Sequence, residues 1–259
     1  MVRISHSVTV AAVPRSWTHQ ALSLFYGLAR ETHTEKEEVL LPGNGNRAVP
    51  GLRLVQGRHL SPGAVYEVDD AEQAQVRVTV REFDRRSALR VECVVRDEET
   101  GSLTVLECSL TSVDRPHRAE MRGSLLLGGK WRSLAKATGG AELGLENWWA
   151  SAAGRRSHAP ALRGHLDHRL AKATVRAVPR PCDDGRWDMR VTLSVRGRSL
   201  LRPLVSAGLL LTRRPLGRAL ADLLDGLARQ WNEHVPHATA HQDMGQLRER
   251  FLARATDTA

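Results

Sequence analysis

Between residues 74 and 96 apolar side chains recur at every second position. Val76, Val78 and Val80 alternate with Gln75, Arg77, Thr79 and Arg81, and Leu89, Val91, Cys93 and Val95 alternate with Arg90 and Glu92. A period of two is that of a β-strand with one covered face and one wet face. It commits this part of the chain to antiparallel pairing, because strands of a parallel sheet are apolar on both faces. The same reading extends to runs at roughly 53–58, 64–68, 74–83, 88–96, 102–113 and 117–127. The turns between them are "SPG", "DDAEQ", "DRRS", "DEETG" and "DRPH", which put Asp, Gly and Pro where tight reversals need them.

A first strand is expected at 4–12 ("ISHSVTVAA"), followed by a helix opened by Pro14, in which Trp17, Ala21, Leu24, Phe25 and Leu28 fall at helical spacing. After the meander, residues 130–156 read as weakly helical and interrupted by Gly139, Gly140 and Gly144, and "RRSHAPALRG" reads as a linker. Two more strands are expected at about 165–178 and 186–197. In the second, Trp187, Met189, Val191 and Leu193 share a face. Strand, helix, meander and long C-terminal helix make an α+β layout. The boundaries read as one enlarged domain over 1–235, with a sub-boundary near 155, and a polar C-terminal tail over 236–259 ending in a short helix around Leu247, Phe251 and Leu252.

The long helix is "PLGRALADLLDGLARQW". At 100° per residue Leu216, Leu220, Leu223, Leu224, Leu227 and Trp231 fall in a stripe about 100° wide, the width expected of a helix lying on a core. The opposite face carries Arg218, Asp222, Asp225 and Arg229, spaced to pair as Arg218 with Asp222 and Asp225 with Arg229. Pro215 suits a first helical turn. Arg213 and Arg214 precede the positive end of the helix dipole, where a solvated bend and an anion-receiving site are the two readings.

The 259 residues are 41% hydrophobic and 26% charged, an ordinary globular composition, with formal net charge +9 and pI ≈ 10.4. Such a charge suits a nucleic-acid or anionic-membrane partner. Nearly all the cations are arginine. Acids gather in the first 110 residues and arginines after Arg155, so the anionic contact, if made, belongs to the C-terminal half. No apolar run approaches the roughly 20 residues of a membrane-spanning helix, and the opening "MVRISHS" has no leader-like apolar stretch. A cytoplasmic protein is expected. Cys93, Cys108 and Cys182 are far apart, with no CxxC pair, which indicates neither a disulfide framework nor a zinc knuckle.

Chemistry-bearing motifs are sparse. His234, His237 and His241 have ligand-like spacing, but Pro236 interrupts them. His165 and His168 would point to opposite faces of a strand, so no metal is expected. There is no GxSxG elbow, no GxGxxG and no GxxxxGK[ST], which disfavours a hydrolase nucleophile and a nucleotide cofactor. Two Tyr and three Phe make a thin stacking platform for single-stranded nucleic acid. Trp148 and Trp149 suit an apolar anchor or a core contact.

Three stretches together resemble the START-like (SRPBCC) helix-grip superfamily, which includes polyketide aromatase/cyclases and lipid-binding proteins. "ISHSVTVAAVPRSW" looks like its first strand and Pro-initiated helix. The meander at 74–127 is similar to its curved sheet. "WDMRVTLSVRGRSLLRPL…LGRALADLLDGLARQWN" looks like its last strand and closing helix. The resemblance spans residues 2–235, with 128–185 as an insertion, and implies a curved antiparallel sheet gripping the C-terminal helix around a cavity for a hydrophobic small molecule. It carries no catalytic set. Lining candidates are Trp17, Phe25, Trp187, Met189, Val191, Leu193, Leu220, Leu223 and Leu227, with Tyr66 as a polar orienting group. Cyclase or aromatase activity is a subset of that reading. A basic module docking on an anionic surface is the alternative, and a similarity to hot-dog thioesterases in the meander is the third, which leaves the last 60 residues unexplained.

Overall fold

The computed structural model describes residues 1–42, 47–68, 74–128, 136–157, 159–198, 213–240 and 243–257. They form an α+β fold of antiparallel strands and a few helices, gathered into two compact units.

Unit 1 is drawn from the described residues of Met1–Pro14, His117–Arg122 and Lys136–Ala240. Its strands are β1 (Val2–Ala11), β10 (Lys136–Gly144), β11 (Leu162–His168), β12 (Ala171–Pro181) and β13 (Arg186–Gly197), in the order β1-β13-β12-β11-β10, with the first residues of β9 (Arg118–Leu126) beyond β10. Two helices belong to it, α2 (Leu145–Ala152) and α3 (Arg213–Thr239).

Antiparallel register fixes what shares a face. Ile4, His6, Val8 and Val10 stand opposite Leu193, Val191, Met189 and Trp187, and these continue across β12 as Val175, Ala177, Pro179 and Pro181. This face is apolar, and His6 is the one titratable side chain among those residues. The other face carries Arg3, Arg176, Arg180 and Arg190 with Ser5, Ser7 and Thr192. The core of the unit sits on the apolar face, where Val10, Trp187 and Ala228 are buried among Val8, Met189, Trp148, Trp149 and Ala152. Both tryptophans of α2 meet Trp187, at ring separations of 5.6 and 6.0 Å.

Only one edge of the leucine stripe of α3 belongs to the face it packs with: Leu216, Leu220 and Leu224 are half-buried. Leu223 is 60% and Leu227 53% exposed, and Trp231 is exposed, whereas Ala228 is buried and a side chain on Gly217 would touch Ile4. Small residues let the helix approach β1 closely, and polar contacts then set its rotation. Asn232 and Trp231 bond the β1 backbone, and Asp225 bonds His6. Asp225 is therefore spent on His6 and not on Arg229. The helix also runs through Pro236 for one more turn. Proline lacks only one helical donor, and the Thr239 hydroxyl donates to the Val235 carbonyl there.

Of the span 130–156, residues 130–135 lie outside the described residues, Lys136–Gly144 is the strand β10 and not helix, and the helical reading holds over Leu145–Ala152 as α2. The glycines of β10 mark close backbone approach: a Cβ on Gly139 would lie 2.7 Å from the His165 carbonyl oxygen. The single strand expected at 165–178 is a hairpin, β11 and β12.

Unit 2 is drawn from the described residues of Arg15–Pro116, Gly123–Ala135 and His241–Ala259. It holds α1 (Arg15–Glu31), β2 (His33–Glu35), β3 (Glu38–Leu40), β4 (Ala48–Gln56), β5 (Val65–Val68), β6 (Ala74–Phe83), β7 (Ala88–Asp97) and β8 (Leu103–Thr111), with the later part of β9 and α4 (Met244–Asp257). The strands pair as the expected meander. Val39, Ala64, Tyr66 and Val80 are its buried centre. Tyr26 of α1 stacks on Phe83 at 4.9 Å, and Phe25 meets Phe251 of α4 edge-on at 5.0 Å. The outward face is neutralised by cross-strand pairs: Arg77 with Glu67 at 2.6 Å, Arg81 with Glu92 at 2.9 Å and Arg90 with Glu107 at 3.6 Å.

Candidate functional site

Among the described residues the apolar face of unit 1 contains one polar constellation. His6 lies at an inward position of β1 between Ile4 and Val8, with Val191 opposite it on β13. Its Nε2 is 2.9 Å from Asp225 Oδ1 of α3, with the His6 side chain 29% and the Asp225 side chain 55% exposed. A carboxylate can only accept, so Nε2 carries the proton in this pair. In the neutral ring Nδ1 then presents its lone pair. A histidine oriented by a carboxylate in this way is the arrangement of a general base.

Position along the strand gives scale. His6 is four residues from Val10, about 13 Å at the rise of a strand, and Val10 belongs to the tryptophan cluster. In that cluster the Trp149 indole Nε1 is buried and has no acceptor among the described residues. A buried orphan donor calls for an explanation, and a carbonyl oxygen of a bound molecule is one. Between the base and this donor the sheet offers small and medium apolar side chains, Val191 and Ala177 in the row of His6 and Met189 and Pro179 in the next, with Val175 one row beyond His6. Of the helices, α3 contacts the edge strand β1, and α2 contacts β12, the middle strand of the five.

The structure distributes the expected lining residues between both units. Trp187, Met189 and Val191 belong to the apolar face of unit 1, with Leu193 in the same row. Leu220 is half-buried on α3, and Leu223 and Leu227 are exposed there. Trp17 and Phe25 lie on α1 of unit 2, Phe25 against Phe251. Tyr66 is buried in unit 2, and its hydroxyl is engaged internally with His59 Nδ1 and the Leu60 N–H, both at 2.8 Å. Thr32 Oγ1 donates to the Ala29 carbonyl at 2.6 Å, so the His59 Nε2–H donates to Thr32 and Nδ1 accepts the Tyr66 O–H. Burial holds the His59 imidazole below its ordinary pKa and raises that of Tyr66.

The alternation of β1 held the missed signal: His6 occupies the parity otherwise filled by Val2, Ile4, Val8 and Val10. The histidines with ligand-like spacing form no metal cluster among the described residues, and His241 lies outside them. Arg214 is exposed at the start of α3, and the stretch 199–212 before it also lies outside the described residues. No helix among the described residues is long and apolar enough to cross a membrane.

No family model and no curated protein matches the chain. A solved structure, DynU16 from the dynemicin biosynthetic locus, is similar over 74% of this chain and 86% of that one, at 12% identity and a TM-score of 0.22. A score that low defines no shared fold.

Proposed function

We propose that unit 1 binds a carbonyl-bearing hydrophobic small molecule on its apolar sheet face, in the helix-grip manner that the sequence resembles, and acts on it by general base catalysis. The observation that carries this reading is the His6–Asp225 pair, an oriented imidazole set in an otherwise apolar row. On a polyketone the His6 Nδ1 takes an α-proton, and Asp225 stabilises the imidazolium that forms. The enolate carbon attacks a second carbonyl of the same chain, forming the ring C–C bond, and the resulting alkoxide takes the proton back from Nδ1. Loss of water from that aldol product completes an aromatase-type outcome. The apolar floor holds the two reacting carbons in reach, which converts an improbable encounter into an intramolecular one.

The test is a tryptophan-fluorescence titration of the purified protein with linear and fused-ring polyketones, alongside mass spectrometry of its organic extract. Saturable quenching that Val175→Trp abolishes, together with α-proton exchange into deuterated water that His6→Gln abolishes without weakening binding, is the expected result. If no panel member binds and the extract is empty, the binding reading fails. If binding persists but His6→Gln leaves exchange unchanged, His6 and Asp225 are only a tie between strand and helix.

A further inference from the structure

On the sheet of unit 2, Arg77, Arg81 and Arg90 have carboxylate partners, and in unit 1 Arg118 and Arg122 have them too; Arg176 and Arg180 of β12, with Arg3 and Arg190 on the same face, do not. The last β11–β12 partners are Leu162 and Ala177, so β12 runs on from Val178 to Pro181 with no β11 residue beside it. Pro179 and Pro181 suit that open edge, since a strand proline places its missing donor where no partner strand lies. The chain after α2 lines this place, and with it forms a groove of 830 Å³. Arg3, Arg155, Arg156, Arg176, Arg180 and Arg190 line it, and among the described residues no acidic one does. None of these six arginines forms an ion pair among the described residues. Asp188, opposite Arg180 across β12 and β13, is the nearest carboxylate in register and is not paired with it.

Arg176 also stands directly opposite Arg163 on β11, whose far side meets Glu142 of β10. Like charges at directly opposed positions repel, and an anion bound beside Arg176 adds to the relief that Glu142 gives. Six guanidinium groups in one concavity match the oxygens of several phosphoryl groups, each able to accept bidentate bonds. The described lining favours a small soluble anion over other anionic partners. It contains no aromatic ring for stacking nucleobases. Among the described residues, none of the large exposed apolar side chains borders it, as membrane insertion would require.

We infer that this groove is a binding site for a soluble oligophosphate-bearing molecule, separate from the apolar face proposed above. Calorimetric titration with sodium tripolyphosphate at low salt tests it. Saturable binding is expected, weakened by about tenfold or more in Arg176→Gln/Arg190→Gln and unchanged in Arg77→Gln/Arg81→Gln, which alters paired arginines of unit 2. His6→Gln also leaves it unchanged, which separates this site from the apolar one. If the double variant does not fold, the salt dependence of tripolyphosphate binding to the native protein decides instead. Affinity must fall steeply between low and moderate salt. Absence of saturable binding overturns the inference, as does equal weakening by the unit 2 variant. So does tight binding of a 20-mer oligonucleotide or of phosphatidylglycerol vesicles that tripolyphosphate fails to displace, since that assigns the charge to a polymer or a membrane.

Discussion

Asn232 completes the backbone hydrogen bonding of β1 from outside the sheet: its Oδ1 accepts the Ala11 N–H at 2.7 Å. Its Nδ2 donates to the Thr9 carbonyl at 2.9 Å, so one side chain takes the place of a neighbouring strand. Asn232→Ala leaves a part-buried donor and acceptor without partners, and we expect a loss of about 1–3 kcal/mol. Urea unfolding checks this. Asn232→Asp keeps the acceptor, loses the donor, and is expected to fall between the two.

Gly139 and Gly226 predict opposite signs for the same substitution. Gly139→Ala forces a Cβ to 2.7 Å from a backbone oxygen of the neighbouring strand, and roughly 1–3 kcal/mol of destabilisation is expected. Gly226, within α3, has nothing within 4 Å of a built Cβ. Gly226→Ala is expected to stabilise by about 0.5–1 kcal/mol through helix propensity and a less flexible unfolded chain. Thermal unfolding of both variants is the measurement.

His59 makes stability depend on pH in a stated direction. Its neutral form fits the Thr32–His59–Tyr66 chain, and burial depresses its pKa in the folded protein. Below the ordinary histidine value of about 6.5 the unfolded chain takes up a proton that the folded one resists. Stability from this group is therefore full above about pH 6.5, falls as pH drops through the window down to the depressed folded value, and then levels off. The change in Tm between pH 7.5 and 5.5 is expected to be smaller in His59→Gln than in the native protein.

Arg176 trades stability for charge. With no anion present, Arg176→Gln removes the repulsion from Arg163 and is expected to raise stability by a few tenths of a kcal/mol. Added tripolyphosphate is expected to reverse the order of the two melting temperatures.

The meander was legible because β6 has one wet face, so Val76, Val78 and Val80 announce their side by alternation. Where that contrast weakens, the pattern misleads. The glycines of β10 imitate a broken helix, because the cause of their presence, the His165 carbonyl, lies on another strand. The turn between β11 and β12 is built from Arg169 and Leu170, without Gly, Asn, Asp or Pro, so nothing local marks it. Angle counting on α3 ranks side chains by hydropathy, whereas Gly217 and Ala228 decide the contact by being small. His6 and Asp225 are separated by 219 positions, and no local spacing rule joins them.

The pairing of β1 with β13 also has a consequence in time. Val2 meets Val195, and Ala11 meets Arg186. A ribosome adding roughly 5–20 residues per second makes the first of these strands wait about 10–40 s for its partner. During that interval a segment rich in valine, with unmet amides on both edges, is in the open. The unit therefore closes only when late synthesis delivers β13 and then α3, and a chaperone that holds the nascent N-terminal segment is expected to raise the yield of folded protein more than one that acts on the finished chain.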